Sequence, residues 1–188
     1  MPVIECHVLK GYTDADKSRL CAALSDAVRG VVSAAPEAVT VMIHEMAETD
    51  YMRGGQHRAP APARPDPTGV VRAFLGAMEA RDLNTASAML GAGFAMTFPG
   101  TGPMTTLQEL IEWAAPRYRF VKKTYDGFDA MQSAGDHAVV YCRGALSGEW
   151  PDGTAFDGIR FIDRFEVSGG LLTRQDVWND IAEEKGQR

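Results

Sequence analysis

The stretch from Gly54 to Pro67, GGQHRAPAPARPDP, limits most severely how this chain can fold. Its prolines alternate with small and charged residues, and nothing in it is apolar enough to bury. Such a segment is semi-extended where the prolines cluster and reads as a linker. A long surface loop within one domain is the competing reading, but structureless loops above ~12–15 residues are uncommon inside compact domains. The expected organisation is therefore residues 1–55, a linker over 56–67, and a second domain over 68–188. A chain of 188 residues is long enough for two small domains.

The first part is short and regular. Val3 to Leu9 reads as a strand. Gly11 and Tyr12 turn the chain, Thr13 is an N-cap, and Asp16 completes a variant of the capping box. Leu20, Leu24, Ala27, Val28 and Val31 recur at helical spacing, which predicts an amphipathic helix to about Ser33, ended by Pro36. Val39 to Met46 is a second strand. Two strands flanking one helix lie parallel, joined by a right-handed crossover. A βαβ unit this small buries little core alone, so oligomerisation is expected.

Composition narrows the function classes. The net charge is -6 and no basic run occurs, so nucleic acid is not an expected partner. No apolar stretch approaches the roughly 20 residues of a membrane helix. The N-terminus lacks the basic and apolar regions of a signal peptide. Three scattered cysteines, Cys6, Cys21 and Cys142, fit a reducing cytoplasm better than a disulfide framework. Metal-ligand spacing, a Gly-rich phosphate loop and a nucleotide fingerprint are all missing from the sequence, so neither metal nor cofactor is expected.

The chemistry-bearing candidate of the first part is Pro2. Methionine before a small residue is readily cleaved, and removal of Met1 turns Pro2 into a secondary amine. Burial against apolar neighbours lowers the pKa of such an amine toward the working range of a general base. The amine can also add to an aldehyde or ketone as an iminium or enamine. His7 and His44 fall within the strands. His7 alternates with the apolar face and reads as structural or interfacial; His44 and Glu45 are weaker candidates for an interface pocket.

Pro2 at the start of a strand, HVLKG, the helix start TDADK and the strand VTVMIHEM with GG beyond it resemble the 4-oxalocrotonate tautomerase family over residues 2–55. The resemblance implies an N-terminal proline nitrogen that moves a proton between carbons of an enol or α-keto acid. It implies a hexamer built as a trimer of dimers. The family's carboxylate-binding arginines are replaced here by Tyr12 and Thr40, which argues against a dicarboxylate substrate. Tyr51 stands where the family has an aromatic wall, and Arg53 is a candidate for a displaced positive charge.

The second part reads as helices followed by strands. Thr68 opens a helix through Val70, Val71, Phe74, Leu75 and Met78, and Asp82 begins another turn. Phe94 to Phe98 is a short strand. Thr105 or Thr106 caps a helix with Leu107, Leu110, Ile111 and Trp113. Strand-like stretches cover Arg117–Met131, His137–Glu149, Ala155–Val167 and Leu171–Trp178, with hairpin turns at Gly135-Asp136, Pro151-Asp152-Gly153 and Ser168-Gly169-Gly170. The fold class is α+β. FPG at 98–100, TTLQELIEWAA, GEWPDGTAFDG and IRFIDRFEVSGGLLTRQDVWND resemble the SnoaL-like group of the ketosteroid-isomerase and nuclear-transport-factor superfamily. That resemblance implies a cone-shaped α+β barrel, a curved sheet around a pocket beneath the helices.

Asp163, Asp176 and Asp180 are the candidate acids of this part, with Asp176 the first choice. Alternation sets Asp176, Trp178 and Asp180 on one face of the last strand and Gln175, Val177 and Asn179 on the other. A carboxylate in an apolar pocket can abstract a proton beside a carbonyl. Arg160, Arg164 and Arg174 offer the plainer reading, cross-strand ion pairs on a solvated face. Trp113, Tyr118, Tyr125, Trp150 and Trp178 line either a pocket or the core, and His137 is expected to be exposed. The functional expectation is a tautomerase acting on a small carbonyl compound, with the second domain acting on or binding a related metabolite. The alternative makes the second domain the cyclase, isomerase or ligand-binding part and the first an assembly scaffold.

Overall fold

The computed structural model describes residues 1–133 and 137–186, and the expected Gly135-Asp136 turn lies outside them. The chain divides into two compact units, Met1–Ala63 and Arg64–Arg188. No helix among the described residues is long and apolar enough to cross a membrane.

In the first unit, β1 (Val3–Leu9) and β2 (Thr40–Met46) pair in parallel, in register from Val3↔Thr40 to Leu9↔Met46. The crossover is α1 (Asp14–Arg29). Its capping box is complete: the Thr13 hydroxyl accepts from the Asp16 amide at 3.2 Å, and the Asp16 carboxylate accepts from the Thr13 amide at 3.2 Å. The helix stops at Arg29, short of the expected Ser33. Gly30 caps it, and Val31, 89% exposed, points to solvent where the spacing had placed it on the apolar face. Leu20, Leu24 and Val28 are half-buried, as are Ile4, Cys6, Val8, Val41 and Ile43 on the strands. No residue from 1 to 63 is fully buried.

The segment expected to act as a linker is ordered at its beginning. β3 (Met52–Arg53) and β4 (Gln56–His57) form a small antiparallel hairpin across Gly54-Gly55, both at positive φ. The His57 ring bonds the Glu48 and Tyr51 carbonyls at 2.9 and 3.1 Å. The Tyr12 hydroxyl donates to the Ala61 carbonyl at 2.8 Å.

The second unit begins with α2 (Pro67–Glu79). Asp66 caps it by accepting from the Thr68 and Gly69 amides, and Pro67 occupies its first turn. α3 (Leu83–Ala88) is capped by Asp82 and α4 (Leu107–Ala114) by Thr106 with Glu109. The five strands are β5 (Leu90–Thr97), β6 (Phe120–Gln132), β7 (Ala138–Glu149), β8 (Ala155–Ser168) and β9 (Leu171–Asn179), in the order β5-β9-β8-β7-β6. β6 to β9 are antiparallel neighbours, whereas β5 joins the edge parallel to β9. β5 starts four residues before the expected Phe94, because Leu90 already pairs with Leu172 ahead of a register shift. A short α5 (Ile181–Gly186) ends the described chain.

Val71, Phe74 and Leu75 of α2 join Val140, Phe165 and Leu172 of the sheet in one apolar core. The sheet bends at close backbone approaches. A Cβ at Gly144 would lie inside van der Waals contact with the Thr124 carbonyl oxygen, next to the register shift between Tyr125 and Gly127. Gly144→Ala is therefore expected to cost about 1–3 kcal/mol of unfolding free energy. A urea midpoint equal to that of the wild type would show that this approach does not set the bend.

Candidate functional site

Two groups of residues carry candidate chemistry, one in each unit. In the first, Pro2 is half-buried at the start of β1, and its carbonyl accepts from the Thr40 amide at 3.0 Å. Pro2 and Thr40 are thus neighbours at one end of the two-stranded sheet. Tyr12, Tyr51 and Arg53 lie at the other end and line a cavity of about 640 Å³ with His7, Met46 and Arg58. The strand β1 spans roughly 20 Å between these ends at ~3.3 Å per residue. One chain therefore brings Tyr12, Tyr51 and Arg53 together but does not bring them to Pro2. Arg58 is a second cation in this cavity that sequence reading passed over, because it lies in the stretch taken for linker. Glu45 is engaged elsewhere, by Lys17 at 3.1 Å.

In the second unit, a cavity of about 380 Å³ lies between the helices and the concave face of the sheet. Phe74, Leu75 and Met78 of α2, Leu110 of α4 and Tyr118 supply apolar walls. Arg81, Lys122 and Glu79 add charge to the lining. Arg81 holds a left-handed φ of 60, a position just past a helix end that glycine fills at less cost.

Lys123, Tyr125 and Gln175 line the same cavity, and Asp163 stands behind them. Asp163 is fully buried; its Oδ2 accepts from Lys123 Nζ in a close ion pair and from Gln175 Nε2 at 3.4 Å. Asp163 Oδ1 and Gln175 Oε1 are buried without a hydrogen-bond partner among the described residues. Each such orphan acceptor costs about 1–3 kcal/mol of desolvation, so a donor supplied from the cavity would be favoured there. Burial, then the nearby Cys142 and Asp163, push the Tyr125 phenol well above its ordinary value, so it remains a hydrogen-bond donor at any physiological pH. Burial raises Tyr118 as well.

Asp176, the acid first favoured from sequence, occupies the opposite face of β9. It accepts from Arg174 Nε at 2.8 Å and Arg164 Nη1 at 3.3 Å, and Arg164 also holds Glu166 at 2.7 Å. Asp180 is paired with Arg160 at 2.7 Å. Arg164–Asp176 and Arg160–Asp180 are the cross-strand pairs of the plainer reading, but Arg174–Asp176 lies within β9 and Asp176 is buried rather than on a solvated face; neither carboxylate lines the cavity. Of the three candidate acids, only Asp163 adjoins it. Tyr118 lines it as expected. Trp113 packs instead against Phe98, with ring centroids 5.1 Å apart, and under Arg117. Trp150 is core, Trp178 is 51% exposed, and His137 is half-buried rather than exposed. Lys123 was missed in the sequence; its signal was the alternation of Val121, Lys123 and Tyr125 on one face of β6.

Cys142 is fully buried behind this site, and burial followed by the charge of Asp163 pushes its thiol from 9.0 up to about 12. Above about pH 9 the unfolded chain ionises this thiol while the folded protein does not, so stability should fall as pH rises toward 12, by at most about 1.4 kcal/mol per unit. Urea midpoints at pH 8, 9.5 and 10.5 read this directly. A Cys142→Ala variant with an identical alkaline slope would assign the loss to other groups.

Residues 2–58 match the family model described as "Tautomerase enzyme". No curated protein matches the chain. Among solved structures, the chain is similar to an NTF2-like protein of unknown function from Burkholderia pseudomallei, with 20% identity, 62% of this chain and 92% of that one covered, and a TM-score of 0.51. An NTF2-like protein from Burkholderia thailandensis gives 17% identity over 66% and 98% of the two chains, with a TM-score of 0.51. TerC, co-crystallised with polyporic acid, gives 15% identity over 63% and 95%, with a TM-score of 0.50. At these identities the likeness is one of fold. The chain therefore matches a tautomerase family model over residues 2–58, and its second unit has the NTF2-like α+β fold.

Proposed function

We propose that this protein is an isomerase whose Pro2 amine, freed by removal of Met1, moves a proton on a small unsaturated carbonyl or enol-keto compound. The observation that carries this reading is the tautomerase-family match beginning at residue 2, where Pro2 sits half-buried immediately before β1. The nitrogen would take a proton from the carbon beside the carbonyl and return it further along the conjugated system. Arg53 and Arg58, in the cavity at the far end of the sheet, are suited to neutralise the enolate. Because a single chain separates that cavity from Pro2, the reading includes a homo-oligomer in which another copy presents its cavity to Pro2. A hexamer built as a trimer of dimers, in a reducing cytoplasm, completes the proposal.

The amine is tested by borohydride reduction in the presence of a small aldehyde. Intact mass should show one adduct per chain, mapped to Pro2, and an unmodified N-terminal peptide would refute an accessible secondary amine. Assembly is tested separately. Light scattering on a sizing column should give a mass six times 20.4 kDa, and a monomer at micromolar concentration would overturn the shared site.

A second reading rests on the unpartnered acceptors of Asp163 and Gln175 beside the second cavity. In it, the NTF2-like unit binds or converts a carbonyl compound carrying a hydroxyl donor, and the first unit serves as an assembly scaffold. Activity that survives loss of Pro2 but not Gln175→Leu would select it.

A further inference from the structure

The face of the two-stranded sheet turned away from α1 carries a second set of reactive side chains. In a strand, residues two apart share a face, so Glu5 and His7 of β1 project together. The parallel register sets His44 of β2 directly beside His7. The two imidazoles stack with centroids 4.8 Å apart and planes inclined by 19°. His44 Nε2 is 3.9 Å from Glu5 Oε2, and His44 is the only partner of that carboxylate among the described residues. One ligand atom from each of Glu5, His7 and His44 lies within 4.8 Å of the other two.

Two imidazoles and a carboxylate are the donor set of an open zinc-type centre, in which three protein ligands leave a coordination position for water. Bonds of about 2.0–2.2 Å to a tetrahedral ion put the ligand atoms about 3.3–3.6 Å apart. All three side chains are exposed, so rotation about their own torsions can close the remaining gap while the strand pairing holds the backbones in place. Nitrogen with oxygen suits the borderline divalent ions rather than magnesium or calcium.

We propose that Glu5, His7 and His44 bind one divalent transition-metal ion of the zinc class per chain. The site does not depend on Pro2 chemistry. It adjoins the first unit's cavity, since His7 also lines that cavity with Tyr12, Tyr51 and Arg53. The reason it escapes sequence inspection is that its third ligand comes from the neighbouring strand, far from Glu5-x-His7 along the chain.

The test uses the tag-free full chain after chelator treatment. Titration calorimetry with Zn²⁺ should show one equivalent per chain in the micromolar range, and Co²⁺ should develop the visible absorption of a tetrahedral complex. His7→Ala, His44→Ala and Glu5→Gln should each weaken Zn²⁺ binding roughly tenfold or more, whereas His57→Ala and His137→Ala should leave it unchanged. Circular dichroism checks that each variant is folded. A readout on the wild type needs no variant: Zn²⁺ should protect His7 and His44, but not His57 or His137, from diethyl pyrocarbonate, as mapped by peptide mass. No saturable binding, wild-type affinity in a folded His44→Ala protein, or absence of selective protection would each overturn the proposal.

Discussion

Pro2→Ala is expected to lower kcat/KM for enol-keto isomerisation by two to four orders of magnitude, the usual contribution of a positioned general base (~10²–10⁴-fold). Alanine leaves a primary amine of different basicity and geometry at the same place, so residual activity above background is expected. The half-buried position of Pro2 and its carbonyl bond to Thr40 are backbone features that alanine preserves. Stability and assembly should therefore change little, and the loss should fall on the chemical step. The measurement is ultraviolet-monitored turnover of a panel of enol-keto acids and unsaturated aldehydes, alongside sizing of both proteins. If turnover by Pro2→Ala equals that of the wild type, the proline is not the catalyst, and attention moves to the second cavity.

The largest stability effect should come from Lys123→Met. Asp163 is fully buried, and Lys123, 20% exposed in its side chain, is its only cationic partner among the described residues. Removing the amine leaves a buried carboxylate without its counter-charge, which costs about 3–5 kcal/mol. Gln175 alone cannot replace it, since its amide already donates to Asp163 at 3.4 Å. The double variant Lys123→Met/Asp163→Leu should regain most of the loss, because an apolar pair of similar volume removes the desolvation penalty together with the attraction. Urea unfolding of the two single variants and the double variant closes the cycle. A Lys123→Met protein within 1 kcal/mol of the wild type would mean that the pair does not support the fold.

Much of the architecture was readable from local chemistry. Thr13 with Asp16, Pro67 behind Asp66, and Thr106 with Glu109 announce helix starts because capping is decided within four residues. The long strands of the second unit show their alternation openly. What escaped was decided at a distance. β5 begins in Leu90-Gly91-Ala92-Gly93, where glycines hide a strand that forms only because β9 lies beside it. The C-terminal α5 is only six residues long and leaves no periodic trace. Among site residues, alternation correctly separated Gln175 from Asp176, but it could not say which face was concave; the helices packed over Phe165 and Leu172 decide that. Lys123 reads as a solvated strand lysine until the sheet brings it to Asp163 of β8, one strand beyond its neighbour β7. Arg58 is hidden among proline-rich surroundings, although the β3–β4 hairpin and the Tyr12 hydroxyl tie that segment to the first unit.

The lack of any fully buried side chain between residues 1 and 63 has a consequence for how the protein behaves on dilution. In the proposed homo-oligomer, a unit without an interior of its own would draw its cohesion from neighbours of the same kind, and its folding equilibrium would be a mass-action one. The NTF2-like unit, with Val71, Val140, Phe165 and Leu172 closed off from water, has no such dependence. Diluted far enough, the two halves of one polypeptide should part company thermodynamically, with the amino-terminal half melting at a temperature that tracks concentration and the carboxy-terminal half holding a fixed one. If the second unit also self-associates, tethering would raise the effective concentration of the first and delay that separation. The larger unit would then serve, whatever else it binds, to keep the smaller one folded in a dilute cell.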